Sequence, residues 1–484
     1  MTTDGSDRPD GTDRADDARD ADRVLDPANL EAERYQYAQR LGDMIAARDD
    51  AGLAQLAAEL SAGDLSEILR PFSVADTVHL LRQLTPAFLA EVLAEIDNRS
   101  TSAFLTLLDH AEIAEILEEM PSDEATDVIG SLDSEQQELV LAAMDAEERA
   151  EVVDLLQYGP ETAGGLMGKE VLVCRDDQTC GEAVTGLRAH DEDELEEMHF
   201  IFVTDERGHL VGRVPLFRLL LTPPATPILQ VMEPDPLYVR VDLDQEEVAQ
   251  FMMTHDLITL PVVDHRHRLV GRITADDVLD VLEEEATEDI SRMAGVSVAE
   301  FGEQSSTRVA RSRLPWLLGG LAGQFGAILV MQRFEQSLTN LVALAFFIPA
   351  IMAMAGNVGI QTSSVVVRGL ATGEVDYFHL GRHLLRELFI ALLLGSVIGA
   401  CLFGIGSVVV GNLSLAVVLG LSMLLVIIFA ATVGTGVPLL LHRLGIDPAV
   451  ATGPFITTAN DVFGLLIYLG LATLMLSLRN GGGP

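Results

Sequence analysis

Five apolar segments occupy the end of this 484-residue chain, at about 315–331, 341–366, 384–410, 414–441 and 451–478. The last four exceed the ~20 residues with which an α-helix crosses the hydrocarbon of a bilayer. Counting the first as a span as well sorts the arginines. Arg308, Arg311, Arg313, Arg368, Arg382, Arg386 and Arg443 then fall on one side, and Arg333 and Arg479 on the other. Basic loops stay inside, so the N-terminal region is expected in the cytoplasm of a multi-pass cell-membrane protein, with the end of the chain outside.

Charge divides the chain at the same place. From Arg311 onward there are 6 acidic and 8 basic residues, which leaves 68 of the 74 acids and 23 of the 31 bases before it. A polyanion of that strength repels nucleic acid and anionic lipid and attracts cations. An acidic surface with one lysine, Lys169, would also suit a high-salt cell. Cys174, Cys180 and Cys401 have no metal-ligand or disulfide spacing and are read as reduced thiols. There is no signal peptide, and residues 1–27, nearly devoid of apolar side chains, are expected to be a disordered acidic tail.

Residues 28–160 have apolar side chains at helical spacing, punctuated by Pro, Ser-Asp and Asp-Ala. A shift of 48 superposes Leu65, Ile68 and Leu69 on Ile113, Ile116 and Leu117, and Leu80, Leu81 and Leu84 on Val128, Ile129 and Leu132. That repeat predicts stacked helical hairpins forming a short solenoid. From 169 to 285 short strands alternate with helices. Here a shift of 59 carries Leu210-Val211-Gly212-Arg213-Val214 onto Leu269-Val270-Gly271-Arg272-Ile273.

Leu260-Pro261-Val262-Val263-Asp264 followed by Leu269-Val270-Gly271-Arg272-Ile273-Thr274 resembles a CBS domain, a module that often senses nucleotides or ions. Pro215 and Arg218 stand where the second copy has Thr274 and Asp277, so the first copy is degenerate. Any ATP is expected at the second copy, on Thr274 and Asp277.

Within the spans Asp461 is the one deep acid, about ten residues and roughly 15 Å into the last segment. An ionisable group at that depth is costly and marks function unless it is a protonated carboxyl bonded to a neighbouring helix. Gly453, Thr457, Asp461 and Gly464 share one helical face, which would serve either a polar path or close helix packing. Asn357, Gln361 and Ser364 form a second polar stripe after Pro349 and Gly356. Oxygen donors with one carboxylate per subunit suit a hydrated Mg²⁺, which gives up its waters reluctantly.

Two stretches resemble the MgtE family of magnesium channels and transporters. One is Phe347-Ile348-Pro349-Ala350 through Gly356-Asn357-Val358-Gly359-Ile360-Gln361 to Val367-Arg368-Gly369-Leu370-Ala371-Thr372. The other is Asp447-Pro448-Ala449 through Gly453-Pro454 to Asn460-Asp461-Val462 and Gly464-Leu465-Leu466-Ile467-Tyr468. The resemblance implies a homodimer in the lipid bilayer with its pore on the two-fold axis. Asp461 would be the selectivity carboxylate, with Asn357, Gln361, Thr457 and Gly453 beside the path. Ile360 and Gly453 stand where some members carry Asn, which removes amide donors there.

The same resemblance implies that regulatory Mg²⁺ binds between helical domain, CBS pair and linker and holds the channel shut. The matching acids are Asp244, Glu246, Asp256, Asp277, Asp280, Glu285, Glu288 and Asp289, with Glu91, Asp123 and Asp127 in the helical domain. Facing carboxylate surfaces repel when bare, and bridging divalent ions favour the compact state.

The expected fold class is therefore multidomain. An all-α superhelical domain (28–160) precedes tandem α/β CBS domains (161–226, degenerate, and 227–285), a linker helix (286–313) and an α-helical membrane domain of five spans (314–484). An enzyme is not expected: there is no His-Glu-x-x-His for a metalloprotease, and only one deep aspartate where an aspartyl type needs two. Chloride channels usually place the CBS pair after the membrane part, and a scaffold leaves Asp461 unexplained. A broader path for Co²⁺, Ni²⁺ or Mn²⁺, and coupling to Na⁺ or H⁺, stay open at this point.

Overall fold

The computed structural model describes residues 27–96, 98–189, 198–297, 305–371, 380–451 and 453–479. The acidic tail, Pro27 apart, and Thr372 of the family motif lie outside them. The chain forms two compact units, one of Met1–Asp244 with Thr259–Ile273 and the other of Gln245–Ile258 with Thr274–Pro484.

The first unit opens on the helix Pro27–Ala47 and then a series of short helices that begin at Asp50, Ala62, Val74, Pro86, Asn98, His110, Ser122, Ser134 and Ala146. A helix thus starts every 12 residues, and the 48-residue repeat is four such units. Helices of 8 to 10 residues do not hold alone in water; here each packs mainly on the next but one. The buried register follows the same step: Leu56, Ile68, Leu80, Val92, Phe104 and Ile116 are all in the core. Each buried aliphatic of this kind contributes roughly 1.5–3 kcal/mol.

Acid has a local structural task in these turns. Asp49, Ser61, Ser73, Asp109 and Asp133 each accept backbone N–H bonds at the start of the helix that follows. Asp109 forms a capping box, in which Glu112 reaches back to the Asp109 N–H at 2.9 Å.

Two small sheets follow. In the first, Val173–Arg175 pairs in parallel with Phe200–Thr204, which pairs antiparallel with Leu210–Pro215, itself edged by Glu233–Pro234. In the second, Val239–Arg240 pairs in parallel with Thr259–Val263, and Leu269–Thr274 completes it. The long strands lie at the 59-residue shift read from the sequence. Cys174 and Cys180 are buried in the core of the first copy, and burial pushes the Cys174 thiol up to about 12, so it stays protonated and inert.

In the second unit the helices Gln245–Thr254 and Ala275–Ala294 pack on one another. The latter is continuous across residue 285, where the sequence suggested a boundary between CBS domain and linker, and Gly295, at φ 70°, ends it. Among the described residues five helices are long and apolar enough to cross a membrane: Ser306–Arg333, Ala343–Ala371, Leu380–Val410, Leu413–Arg443 and Pro454–Arg479. The first reaches nine residues further toward the N-terminus than the apolar run that announced it and includes Arg308, Arg311 and Arg313. The fourth helix is central, packing on the second, third and fifth. The first packs chiefly on the fifth, and Gly323 is what lets it do so: a Cβ there would lie 1.8 Å from Thr458 Cγ2.

Candidate functional site

Asp461 sits in the fifth membrane helix with 6 % of its surface exposed. The helix begins at Pro454, later than the apolar run suggests, so Asp461 is seven residues and roughly 10 Å along it rather than 15 Å. Its Oδ2 accepts a hydrogen bond from Gln324 Nε2 of the first membrane helix. The neighbouring Asn460 is fully buried. Its Nδ2 donates to the Ala355 carbonyl at 3.2 Å, while its Oδ1 has no hydrogen-bond partner among the described residues.

The two polar stripes behave differently. Thr457 Oγ1 donates to the Gly453 carbonyl one turn back, at 3.2 Å, so that hydroxyl is satisfied within its own helix. Gly464 is a packing glycine, set between Val426 and Ala355. Asn357 and Gln361, by contrast, are exposed on the second membrane helix, and Ser364 is half-buried. Hydrocarbon has no hydrogen bonds to offer an amide, so this face is unsuited to lipid.

A second constellation joins the helix Ala275–Ala294 to the turn that opens the fifth membrane helix. Arg292 forms ion pairs with Glu288, one turn back, and with Asp447. Asp447 Oδ1 accepts from the Ala449 N–H at 2.7 Å, which fixes the turn. At Gly453 an added Cβ would stand 2.6 Å from the Met293 carbonyl oxygen, so the linker backbone lies directly on this turn. Burial, then the charges of Asp447 and Glu285, push the Asp289 carboxyl up to about 6, against the partial relief that Arg292 gives. Glu285 accepts from Gln245 Nε2 at 2.8 Å.

The other sequence-predicted acids are spread over both units. In the first, Glu91, Asp127 and Asp244 are exposed and Asp123 is half-buried; in the second, Glu246, Asp256 and Asp280 are exposed. Among the described residues no three His, Cys, Asp or Glu side chains converge as a metal-ion cage. Thr274 and Asp277, expected to meet a ribose, cap their own helix: Asp277 Oδ2 accepts from Thr274 N–H and Oγ1, both at 2.7 Å. In the first copy Arg218 is held by Glu233 at 3.1 Å and donates to the Val231 carbonyl, so a salt bridge occupies the position.

Sequence reasoning passed over Gln324, Arg292 and the role of Asp447. Gln324 carried a signal, as the one polar side chain in the apolar run 315–331.

Family models match three parts of the chain: the divalent cation transporter model MgtE over 348–471, the MgtE intracellular N domain over 60–161 and a CBS domain over 228–284. The magnesium transporter MgtE of Thermus thermophilus is 40 % identical over 330 residues, 68 % of this chain and 73 % of that protein. The chain belongs to the MgtE family. The magnesium transporter MgtE of Enterococcus faecalis is 36 % identical over 67 % of this chain and 72 % of its own length. The crystal structure of the cytosolic domain of the Mg²⁺ channel MgtE in complex with ATP is 34 % identical, covering 50 % of this chain and 99 % of that one, with a TM-score of 0.47. As an MgtE-family member the chain is a transporter rather than an enzyme, a multi-pass cell-membrane protein with its N-terminal region in the cytoplasm. The transporter model spans Asn357, Gln361, Asp447 and Asp461, whereas the first membrane helix with Gln324 and the helix Ala275–Ala294 with Arg292 precede its match.

The raised Asp289 carboxyl fixes a pH dependence. A carboxyl raised in the folded state adds stability that is complete below its unfolded value of about 4 and is lost as pH climbs through about 6. Without divalent ions, the contact between helix 275–294 and the 447–453 turn should therefore be tight at pH 4 and loosen by pH 7.5. Hydrogen exchange of residues 288–296 reads this. Asp289→Asn should abolish the pH response, and a response of unchanged size in that variant would remove Asp289 as its source.

Proposed function

We propose that this MgtE-family chain transports Mg²⁺ through a homodimeric pore in which Asp461 is the selecting carboxylate. The observation behind this is an aspartate placed among five apolar helices, together with exposed amides on the second helix, Asn357 and Gln361, that lipid cannot satisfy. A second copy placed on that face would cover the amides and enclose a polar path. It would also bring two carboxylates to one divalent ion, matching its charge. The relatives are magnesium transporters, which supports the same cargo.

The regulatory part of the proposal places Mg²⁺ on the acids of helix 275–294. Asp276, Asp277, Asp280, Glu283, Glu284, Glu285, Glu288 and Asp289 stand on 20 residues with Arg292 as the helix's only base. Mg²⁺ keeps several waters and needs only one or two carboxylates, so a closed cage is not required. An ion among Glu285, Asp289 and Asp447 would relieve the crowding that raises Asp289 and strengthen the contact with the 447–453 turn. High internal Mg²⁺ thus favours the shut state. Nucleotide, in this reading, enters at the second CBS copy alone, where Thr274 and Asp277 exchange their mutual bonds for a ribose.

Three measurements test these points. Asp461→Ala should insert and dimerise normally, yet Mg²⁺ uptake into liposomes should fall to background; near-normal uptake would overturn the pore assignment. Neutralising Asp277, Asp280, Glu285 and Glu288 together removes both repulsion and ligands. Loss of ligand should dominate, leaving protease cleavage near 280–305 insensitive to millimolar Mg²⁺; a wild-type Mg²⁺ response would mean these acids only solvate the surface. Calorimetry should find at most one adenine-nucleotide site per chain, and two tight sites would contradict the single-copy reading.

A further inference from the structure

We infer that Gln324 is a specificity-determining residue that sets how the pore carboxylate can meet an ion, a step that rests on the reading of Asp461 given above. The juxtaposition is built into the backbone. Gln324 lies between Gly323 and Gly326, whose missing side chains admit Thr458 and Val462 of the fifth helix; a Cβ on Gly326 would be 3.2 Å from Val462 Cγ2. At that separation the glutamine side chain spans to Asp461 and donates Nε2–H to Oδ2. The acceptor is a carboxylate in a buried position, where charge-assisted hydrogen bonds are strongest.

The consequence is coordination chemistry. Ca²⁺ takes six to eight oxygens and readily chelates both oxygens of one carboxylate, whereas Mg²⁺ keeps its waters and accepts a single oxygen from each. With Oδ2 engaged by Gln324, a bidentate chelate forms only by giving up that bond. A hydrated Mg²⁺ meeting Oδ1 leaves it intact. Gln324 therefore adds a penalty that falls on the larger ion and spares the smaller one. It touches the carboxylate rather than the ion, so it acts by positioning.

Full-length protein in liposomes, with Mg²⁺ and Ca²⁺ uptake measured side by side, tests this. Gln324→Met keeps length without a donor, and Gln324→Asn keeps a donor that is one methylene short. Both should retain Mg²⁺ uptake while the Mg²⁺ over Ca²⁺ ratio falls about tenfold, the worth of one charge-assisted hydrogen bond. A residue that merely packed the helices would lower both uptakes together and leave the ratio unchanged, and that result overturns the inference. Should Gln324→Met fail to insert, Gln324→Asn decides on the same ratio. Asp461→Asn separates the two levels. If it conducts normally, the pore reading itself fails. If it is silent while the Gln324 variants keep the wild-type ratio, only the role of Gln324 is lost.

Discussion

The structure depends on one constraint: hydrocarbon cannot solvate a polar group, so every polar side chain in the five membrane helices must find its partner inside protein or face another polar surface. Most hydroxyls comply within their own helix. Thr432, Thr435, Ser396 and Thr473 each donate to the carbonyl four residues back, at 2.6 to 2.9 Å. Others tie helices together, as Tyr468 does to the Leu344 carbonyl and Ser337 to Thr473. Groups without such a routine use include Asp461 with Gln324, Asn460 with its unpartnered Oδ1, the exposed amides Asn357 and Gln361, and the buried hydroxyls of Ser363 and Ser422, which have no hydrogen-bond partner among the described residues. The carboxylate and the amides are the costliest of these groups to leave facing hydrocarbon, which is why the proposed ion path is placed among them.

The large acidic excess has two distinct uses. In the helical repeats, Asp49, Asp109 and Asp133 are helix caps, each worth about 1 kcal/mol and replaceable in principle by Ser, as at Ser61 and Ser73. Their number follows from the number of helix starts. On helix 275–294 the acids are denser than capping requires, and at Asp289 burial, followed by the charges of Asp447 and Glu285, pushes the carboxyl up to about 6. Solvation of a salt-adapted surface would place acids where they are exposed and unperturbed. Asp289 is neither.

Much of this was legible in the sequence because it is written in periodicity. The 59-residue shift names the strands Leu210–Pro215 and Leu269–Thr274 directly, since the apolar positions and the Gly-Arg pair within each strand recur together. The 48-residue shift located the solenoid but missed its 12-residue unit. Apolar side chains vary freely between Leu, Ile, Val and Phe at one buried position, so matching identities aligns fourfold blocks sooner than single ones. The site was half legible. Asp461 announces itself by depth, whereas Gln324 is 137 residues away and gains meaning only once Gly323 brings the first helix against the fifth. Arg292 and Asp447, 155 residues apart, were hidden for the same reason. Charge at a helix end is common, and only the tertiary contact distinguishes this pair.

That contact also supplies a route from the acidic helix to the membrane. Asp447 holds the turn through Ala449, and Met293 lies on Gly453, the residue before the fifth membrane helix begins. Arg292 is already a cation among Glu288, Asp447 and Asp289, and its guanidinium satisfies part of the charge that a divalent ion would neutralise. The turn is therefore held to this helix by an arginine rather than left as a bare carboxylate cluster. Its resting attachment is the arginine pair, to which the proposed Mg²⁺ would add. Two turns of helix separate Gly453 from Asp461, so a displacement of the linker would reach the proposed pore carboxylate through a rigid element rather than through a loop. The first helix meets the fifth in this same stretch, at Thr458 and Val462. Movement of the turn must then either carry Gln324 along with Asp461 or part them, and the close packing at Gly323, where an added Cβ would lie 1.8 Å from Thr458 Cγ2, favours carrying it along.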